Sequence, residues 1–274
     1  TTGIQDSVGS NDGTNYGATK VNTFVSTEAA TSSGMTEQNL VNNNVSALNG
    51  ESSGMTSANL VTSDLTRAIP YDNYSFNFDS ASSDYIDCGD SDTFSFGNGS
   101  SDSPFTVSAW VYAEGSSSFP FFDKYPDAGT WSLREYRMEI VGTDKVVLII
   151  YDGSAGARHE IYSDSLITRD QWQHIAITYD GSGGATAGNG VKIYINGSES
   201  TTTIVSYGTY VAMENTTSPV RIGRVGSGYA DGKINNISLF NNELTSTEVL
   251  KLYSNGVPQD LSSFTPQPQV WYPL

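Results

Sequence analysis

The sequence predicts an all-β fold, a two-layer antiparallel sandwich with one short helix near its C-terminal end. Apolar and polar residues alternate in many short segments, which is the period of a half-buried strand. Gly, Asn and Asp separate these segments at short intervals, as expected for turns. Thr245 followed by Glu248 is a capping-box pattern, so we expect one helix to begin there and to end at Gly256.

The clearest predicted strand pair lies between residues 171 and 196. Ile175, Ile177 and Tyr179 fall on one side of an extended chain, and the same alternation returns from Val191 onwards. A Gly-rich stretch separates the two runs, which predicts a β-hairpin. Because each strand has one apolar and one polar face, a second layer must cover the apolar side.

The other predicted strands follow along the chain. Residues 145–151 form a continuous apolar run, which predicts a central strand covered on both faces. The remaining segments predicted as strands are 76–78, 85–86, 94–96, 105–111, 119–124, 131–141, 158–162, 200–205, 220–225 and 234–240.

The bulk composition excludes several classes of function. A formal net charge of −17 argues against nucleic acid and anionic membranes as partners, and favours divalent cations or repulsion between copies. A solvated acidic surface is the simpler explanation for most carboxylates. No segment approaches the ~18 apolar residues that a membrane-inserted helix needs. Cys88 is the single cysteine, so an intrachain disulfide is excluded.

The chain divides by composition into three parts. Residues 1–70 are rich in Ser, Thr, Asn and Gly and predict an extended N-terminal segment. Residues 71–257 carry the strand patterns and predict the sandwich. Residues 258–274 predict a linker followed by a C-terminal strand.

A short motif occurs twice in the N-terminal segment. Residues 32–41 recur as residues 52–61 with eight of ten positions identical. The two copies are either short elements that dock on the sandwich or on neighbouring subunits, or parts of a disordered linker. The apolar residues that we predict to serve assembly are Met35, Leu40, Met55 and Leu60.

Residues 172–181 read Trp-Gln-His-Ile-Ala-Ile-Thr-Tyr-Asp-Gly, and residues 191–197 read Val-Lys-Ile-Tyr-Ile-Asn-Gly. This pair resembles the central hairpin of laminin-G-like, concanavalin A-like jelly-roll domains. The resemblance implies a jelly-roll sandwich but does not choose a function, because this fold hosts lectins, enzymes and spacers. Further segments that resemble the family's strands and closing helix are 76–79, 84–87, 105–111, 222–224, 231–240 and 244–253.

The C-terminal sequence Val-Trp-Tyr-Pro-Leu resembles the opening strand of that family, displaced to the other end of the chain. Three arrangements are open. The chain is a piece cut between equivalent points of a tandem array of domains, or the C-terminal strand folds back onto its own domain, or it pairs with the next subunit. An exposed Trp-Tyr pair would form an apolar patch, so we expect it to be covered. The residues predicted for assembly here are Val270, Trp271, Tyr272 and Leu274.

The resemblance also implies calcium as a candidate cofactor, because laminin-G-like and pentraxin-like relatives hold calcium with oxygen ligands at a sandwich edge. Many relatives carry an Asp-Glu pair on the last strand where this chain has two asparagines, which lowers the expected affinity. The candidate ligands are Asp79, Asp84, Asp87, Asp231, Asn235 and Asn236.

Aromatic residues in predicted loops are candidates for sugar binding, because lectin sites combine aromatic rings with polar loop residues. Each of them has simple packing as an alternative role. The candidates are Tyr125, Trp131, Tyr207, Tyr210 and Tyr229.

The sequence predicts no catalytic residues. His159 and His174 are the only histidines, and His174 lies inside a strand, where a sheet-face role is expected. Glu135 and Glu139 are the nearest approach to a carboxylate pair. On a strand they lie about 13 Å apart, beyond the ~5–9.5 Å of glycoside hydrolysis.

These observations favour a non-catalytic structural or adhesion module of an extracellular assembly, such as a viral fibre or surface filament. Its expected partners are other copies of itself, adjacent modules and surface glycans. The alternative is a calcium-dependent, lectin-like carbohydrate-binding domain, and a glycoside hydrolase is a remote third hypothesis.

Overall fold

Eighteen strands and one α-helix form the regular structure of the residues that the computed structural model describes, namely 4–22, 74–127 and 130–273. The helix is α1 (Ser246–Tyr253). The strands are β1 (Thr14–Tyr16), β2 (Thr19–Asn22), β3 (Tyr74–Phe78), β4 (Tyr85–Gly89), β5 (Phe105–Ala113), β6 (Phe119–Lys124), β7 (Tyr136–Ile140), β8 (Lys145–Asp152), β9 (Ala157–Leu166), β10 (Gln173–Tyr179), β11 (Val191–Ile195), β12 (Ser198–Ser200), β13 (Thr202–Tyr207), β14 (Val220–Ile222), β15 (Arg224–Val225), β16 (Gly228–Tyr229), β17 (Gly232–Phe240) and β18 (Val270–Tyr272).

Two antiparallel sheets pack face to face and confirm the predicted all-β sandwich. Sheet A has the strand order β1-β4-β14-β6-β7-β8-β9-β13. Sheet B has the order β12-β11-β10-β5-β17-β3-β2, and β18 also pairs with β17. The main core lies between the two sheets, and strand alternation sends every second side chain into it.

Strand β8 shows the burial on both faces that its apolar run predicted. Val146, Leu148 and Ile150 enter the core between the sheets. The alternate side chains point outward from sheet A, yet they are also buried under aromatic residues. These outward residues are Val147, Ile149 and Tyr151.

The predicted central hairpin is confirmed as β10 and β11, with Ile175 opposite Ile195. His174 lies on the other side of β10 and is 1% exposed. Its Nε2 is 2.8 Å from the Ser108 hydroxyl, and burial lowers the pKa of His174 to about 3. The imidazole is therefore a neutral part of the packing, as its strand position predicted.

Helix α1 begins with the predicted capping box, in which the Thr245 side chain and Glu248 satisfy each other's backbone N–H groups. The helix ends at Tyr253 rather than at Gly256, because Ser254 adopts a left-handed backbone with φ +46°. Within the described residues, no helix is long and apolar enough to cross a membrane.

Two segments that were predicted as strands are different. The segment 94–96 begins at the end of a 3-10 turn, Asp92–Phe94, and forms no strand. The segment 131–141 begins with another 3-10 turn, Trp131–Leu133. Phe94 is buried in the core although it is not on a strand. Burial at alternate positions therefore imitated the strand pattern in the sequence.

The C-terminal strand β18 folds back onto its own domain. Tyr272 is opposite Ile237 on β17, and Val270 and Tyr272 enter the main core. Trp271 points the other way, beneath α1, where it is 1% exposed and its indole N–H donates to the Asn236 side-chain oxygen. Of the three arrangements left open by the sequence, the structure has the second.

The N-terminal residues 4–22 also pair with strands of the sandwich, although they lie outside the range 71–257 predicted for it. Strand β1 pairs with β4, and β2 pairs with β3. The Ser7 N–H donates to the Trp271 carbonyl at 2.8 Å, and the Asp6 carboxylate accepts the Trp271 N–H at 3.0 Å. These strands are short and polar edge strands, which the search for apolar alternation misses.

The repeated motif lies in the connection between β2 and β3. The two ends of this connection, Asn22 and Tyr74, are opposite each other in the strand register. The motif itself is outside the described residues, and so are several residues predicted for assembly. These are Met35, Leu40, Met55, Leu60 and Leu274.

Candidate functional site

The outer face of sheet A carries a dense set of polar and aromatic side chains. Helix α1 packs on the outside of sheet B, whereas the connection between β6 and β7 folds over the outside of sheet A. Since alternate residues of each strand enter the core, the others point to this outer face. They are Tyr85, Asp87, Asp123, Arg137, Glu139, Tyr151, Arg158, Glu160, Tyr162, Tyr207 and Arg221.

Five residues form what we call the tryptophan cluster: Tyr125, Trp131, Arg134, Tyr151 and Arg158. The Arg134 guanidinium lies 4.3 Å from the centre of the Trp131 ring and 4.8 Å from that of Tyr125. Trp131 meets Tyr151 edge to face at 5.7 Å. These contacts have cation–π and aromatic-pair geometry, so they hold the rings and the guanidinium in defined orientations.

Arg158 extends this cluster towards the edge of sheet A. Its guanidinium lies 5.4 Å from the Trp131 ring and 3.8 Å from the Tyr207 ring. Its Nε donates to Glu160 at 2.6 Å. Tyr207 is 43% exposed, so this end of the face offers an open aromatic ring beside an arginine–glutamate pair.

A second group of charges lies on β6 and β7. Arg137 pairs with Glu139 at 2.6 Å, and the Asp123 carboxylate accepts the Met138 N–H at 2.8 Å. Burial raises the pKa of Asp123 well above its usual range, and Arg137 opposes this only in part. Burial raises the pKa of Glu139 as well, against the same opposing charge.

Four buried polar atoms on this face have no hydrogen-bond partner among the described residues. Buried polar groups are nearly always paired, so an unpaired group calls for an explanation such as an ordered water or a bound ligand. The four atoms are Asp123 Oδ2, Trp131 Nε1, Arg134 Nε and Arg137 Nε.

A tyrosine cluster lies at the opposite end of the same face. The Tyr16 and Tyr85 rings stack with centres 4.6 Å apart and planes 5° apart. The Arg224 guanidinium lies 4.6 Å from Tyr85 and 5.3 Å from Tyr229. Asp127 pairs with both Arg224 and Arg221.

The structure brings four of the five predicted sugar-binding aromatics to this face. Tyr125 and Trp131 lie in the tryptophan cluster, Tyr207 lies beside it, and Tyr229 lies in the tyrosine cluster. Tyr210, the fifth candidate, lies in a loop, but it is 2% exposed and belongs to the main core. Its hydroxyl donates to Asp102 at 2.8 Å, so packing, the alternative role, describes it better.

Sequence reasoning missed the charged half of the site. Arg158 and Tyr151 lie on the outward side of predicted strands, so alternation was a usable signal for them. Arg134 follows a 3-10 turn, where no period applies. Tyr16 lies on an edge strand that was not predicted.

The two glutamates considered for glycoside hydrolysis are held in different places. Glu135 is buried, lies 3.1 Å from the Lys124 amine and accepts the Thr216 N–H at 2.7 Å. Glu139 pairs with Arg137 instead. Each carboxylate is therefore engaged by its own cation.

The first set of candidate calcium ligands is only partly brought together. The Asp84 carboxylate accepts the Asp79 N–H at 3.0 Å, so these two residues share one turn. Asp79 also accepts the Ala81 N–H at 2.9 Å. Asp87 faces Arg221 at 3.3 Å on the outside of sheet A, which gives its carboxylate a different partner.

The second set is divided along β17, because Asp231 precedes the strand whereas Asn235 and Asn236 lie at its bulge. Asn236 has a left-handed backbone, with φ +51°, and its side chain binds Trp271 and the Gln259 carbonyl. Asn235 accepts the Asn236 N–H at 2.6 Å. In the part of the chain that the structure describes, no three Asp, Glu, His or Cys side chains form a metal-holding group, and calcium stays a prediction.

Three solved structures are similar in fold at low sequence identity. The binding domain of Paraclostridial mosquitocidal protein 1 has a TM-score of 0.50 and 15% identity over 66% of this chain and 43% of that one. The binding domain of botulinum neurotoxin serotype G has 0.48 and 16% over 66% and 42%. Domain 4 of AbnA, a GH43 extracellular arabinanase from Geobacillus stearothermophilus in complex with arabinotriose, has 0.45 and 19% over 66% and 77%.

The chain spans less than half the length of the two toxin binding domains. No curated protein sequence matches it. One family model, described as the concanavalin A-like lectin/glucanases superfamily, matches residues 80–250, which is more than half of the chain. This match agrees with the sandwich topology and with the hairpin that first suggested the resemblance. The chain therefore belongs to the concanavalin A-like lectin/glucanases superfamily.

Proposed function

We propose that the chain is a non-catalytic carbohydrate-binding module whose ligand lies on the outer face of sheet A. The observation that carries the proposal is the tryptophan cluster, in which aromatic rings and guanidinium groups have fixed orientations. Buried polar atoms of the same cluster have no hydrogen-bond partner among the described residues. The chain belongs to a superfamily whose description names lectins and glucanases, two classes of carbohydrate-recognising proteins, and this supports a carbohydrate as the ligand.

The chemistry of this face suits a sugar. The apolar side of a sugar ring packs on an aromatic ring, while its hydroxyl groups need donors and acceptors at fixed positions. Trp131 and Tyr207 supply rings. Arg158 and Glu160 supply a donor and an acceptor at their side, on a rigid strand.

The carboxylates of the face support binding rather than hydrolysis. Glycoside hydrolysis needs two carboxyl groups that both reach the sugar, one as acid and one as base or nucleophile. Glu139 is engaged by Arg137, and Glu135 is buried with Lys124. Asp123 is 1% exposed.

A glycan array followed by calorimetric titration tests the proposal. We expect Trp131→Ala to weaken binding of the selected glycan at least tenfold, since binding hot spots, which are rich in tryptophan, cost about 2 kcal/mol or more when truncated to alanine. Trp172→Ala is the matched control, because Trp172 contacts Tyr112 on the outside of sheet B. Full affinity in Trp131→Ala, or no glycan bound by the wild type, contradicts the proposal. Release of reducing sugar by the wild type contradicts its non-catalytic part.

We further propose that the module works outside the cell, where glycans are displayed. Self-association through the C-terminal strand is not part of the proposal, because Val270, Trp271 and Tyr272 are buried in their own sandwich. Light scattering after size-exclusion chromatography tests this point. A wild-type chain that behaves as a dimer would contradict it.

A further inference from the structure

Arginine is concentrated on the outer face of sheet A. A planar guanidinium stacks on aromatic rings and binds carboxylates through two parallel hydrogen bonds, whereas an ammonium group acts as a point charge. Five of the seven arginines in the sequence lie on this face: Arg134, Arg137, Arg158, Arg221 and Arg224.

Arg134 differs from the other four in its charge balance. Its guanidinium has no ion pair or hydrogen bond with any described residue, and its Nε is buried. A cation partly withdrawn from water gains more from an added anion than one that is already paired. The other four arginines pair as Arg137 with Glu139, Arg158 with Glu160, Arg221 with Asp87 and Asp127, and Arg224 with Asp127.

Aromatic rings rather than a carboxylate hold Arg134 in place. The guanidinium lies within 4.3 to 5.7 Å of the ring centres of Trp131, Tyr125 and Tyr151. Its N–H donors are thus oriented before any ligand arrives, which lowers the entropy cost of binding.

From this geometry, and resting on the proposed function, we infer that the tryptophan cluster recognises an acidic sugar. Arg134 binds the anionic group, a carboxylate or a sulfate, and Trp131 packs against the sugar ring that carries it. The net charge of −17 repels a densely charged polyanion at long range. Salt screens that repulsion beyond ~8 Å at physiological ionic strength, so single acidic residues in a mainly neutral glycan suit the site best.

Calorimetric titration with three versions of one oligosaccharide tests the inference. The probes carry a uronic acid, the same residue with its carboxyl reduced to an alcohol, and a sulfated counterpart of the reduced form. We expect at least one anionic probe to bind the wild type about tenfold more tightly than the neutral probe, the size of one charge-assisted hydrogen-bonded contact.

Variants then assign the effect to Arg134. Arg134→Gln should bring the affinity for the anionic probe down to the variant's own affinity for the neutral probe. Arg134→Lys keeps the charge and should retain part of the preference, so it distinguishes recognition from misfolding. Lys251→Gln is the control, because it removes one positive charge from an exposed position of α1, over sheet B.

Two results would overturn the inference. Equal affinity of the wild type for all probes, with Trp131→Ala weakening them together, refutes the acidic specificity while the proposed function stands. A preference that persists in Arg134→Gln refutes the role of Arg134. If no probe and no array glycan binds, the proposed function fails as well.

Discussion

Replacing Trp271 with alanine tests whether the C-terminal strand completes the sandwich. The ring is 1% exposed beneath α1, and truncation of a buried tryptophan costs about 3–5 kcal/mol. The substitution also leaves the Asn236 side-chain oxygen without its indole donor, which adds about 1–3 kcal/mol. The expected loss of about 4–8 kcal/mol is comparable with the whole stability of a domain, about 5–15 kcal/mol.

Urea denaturation followed by far-UV circular dichroism measures this loss without relying on tryptophan fluorescence. Trp271→Phe keeps most of the packing and should lose about 1–3 kcal/mol, the cost of the unpaired oxygen. Trp172→Ala, at a half-buried position, should lose less than Trp271→Ala. A loss below about 1 kcal/mol for Trp271→Ala, within the range of ordinary surface changes, would refute the reasoning. A midpoint that rises with protein concentration would show that the strand pairs between chains.

The remaining predictions concern a buried ion pair, pH and calcium. Lys124→Met leaves Glu135 buried without its cation and also removes the donor to the Thr216 and Ser218 carbonyls. It should cost about 3–5 kcal/mol. The double variant with Glu135→Leu should regain part of this loss, and no recovery contradicts the pairing. The pKa of His174 is lowered from 6.5 to about 3 in the fold, so the unfolded chain alone takes up a proton between these values. The contribution of neutral His174 to the free energy of unfolding is therefore complete above pH 6.5, and it declines by about 1.4 kcal/mol per pH unit as the pH falls towards 3. The measurement is the difference in unfolding free energy between wild type and His174→Gln as a function of pH. A difference that does not change with pH contradicts the prediction. We expect calcium to raise Tm relative to a chelator and Asp84→Asn to remove that shift, whereas identical Tm values argue against a calcium site.

The local pattern of apolar residues was sufficient to predict the strands of the sandwich interior, such as β8, β10 and β11. In β10 and β11, side chains alternate between the core between the sheets and the opposite face of sheet B, part of which lies beneath α1. The sequence therefore shows the two-residue period of a strand. The apolar run of β8 likewise indicated its burial on both faces. The capping box marked the start of α1, because it depends on two residues three positions apart. These features depend on neighbours in the chain, and neighbours in the chain are visible in a sequence.

The site depended on contacts between distant parts of the chain. Arg134 reaches Tyr151 across a turn and a neighbouring strand, and Arg158 reaches Trp131 from β9. Composition revealed the aromatic candidates but could not separate the exposed Tyr207 from the buried Tyr210, since the two lie only three positions apart, on either side of Gly208. Which arginine lacks a carboxylate depends on where every acidic side chain lies in space.

The predicted sandwich, its central hairpin and its single helix follow from periodicity and capping, which act over a few residues. The closure of the fold does not, because the Asp6 carboxylate meets the Trp271 backbone across 265 positions. Pairing at that separation depends on which edge of β17 remains open once the other strands are in place. Packing of the whole molecule therefore assigns Trp271 to the interior and gathers the arginines on the outer face of sheet A.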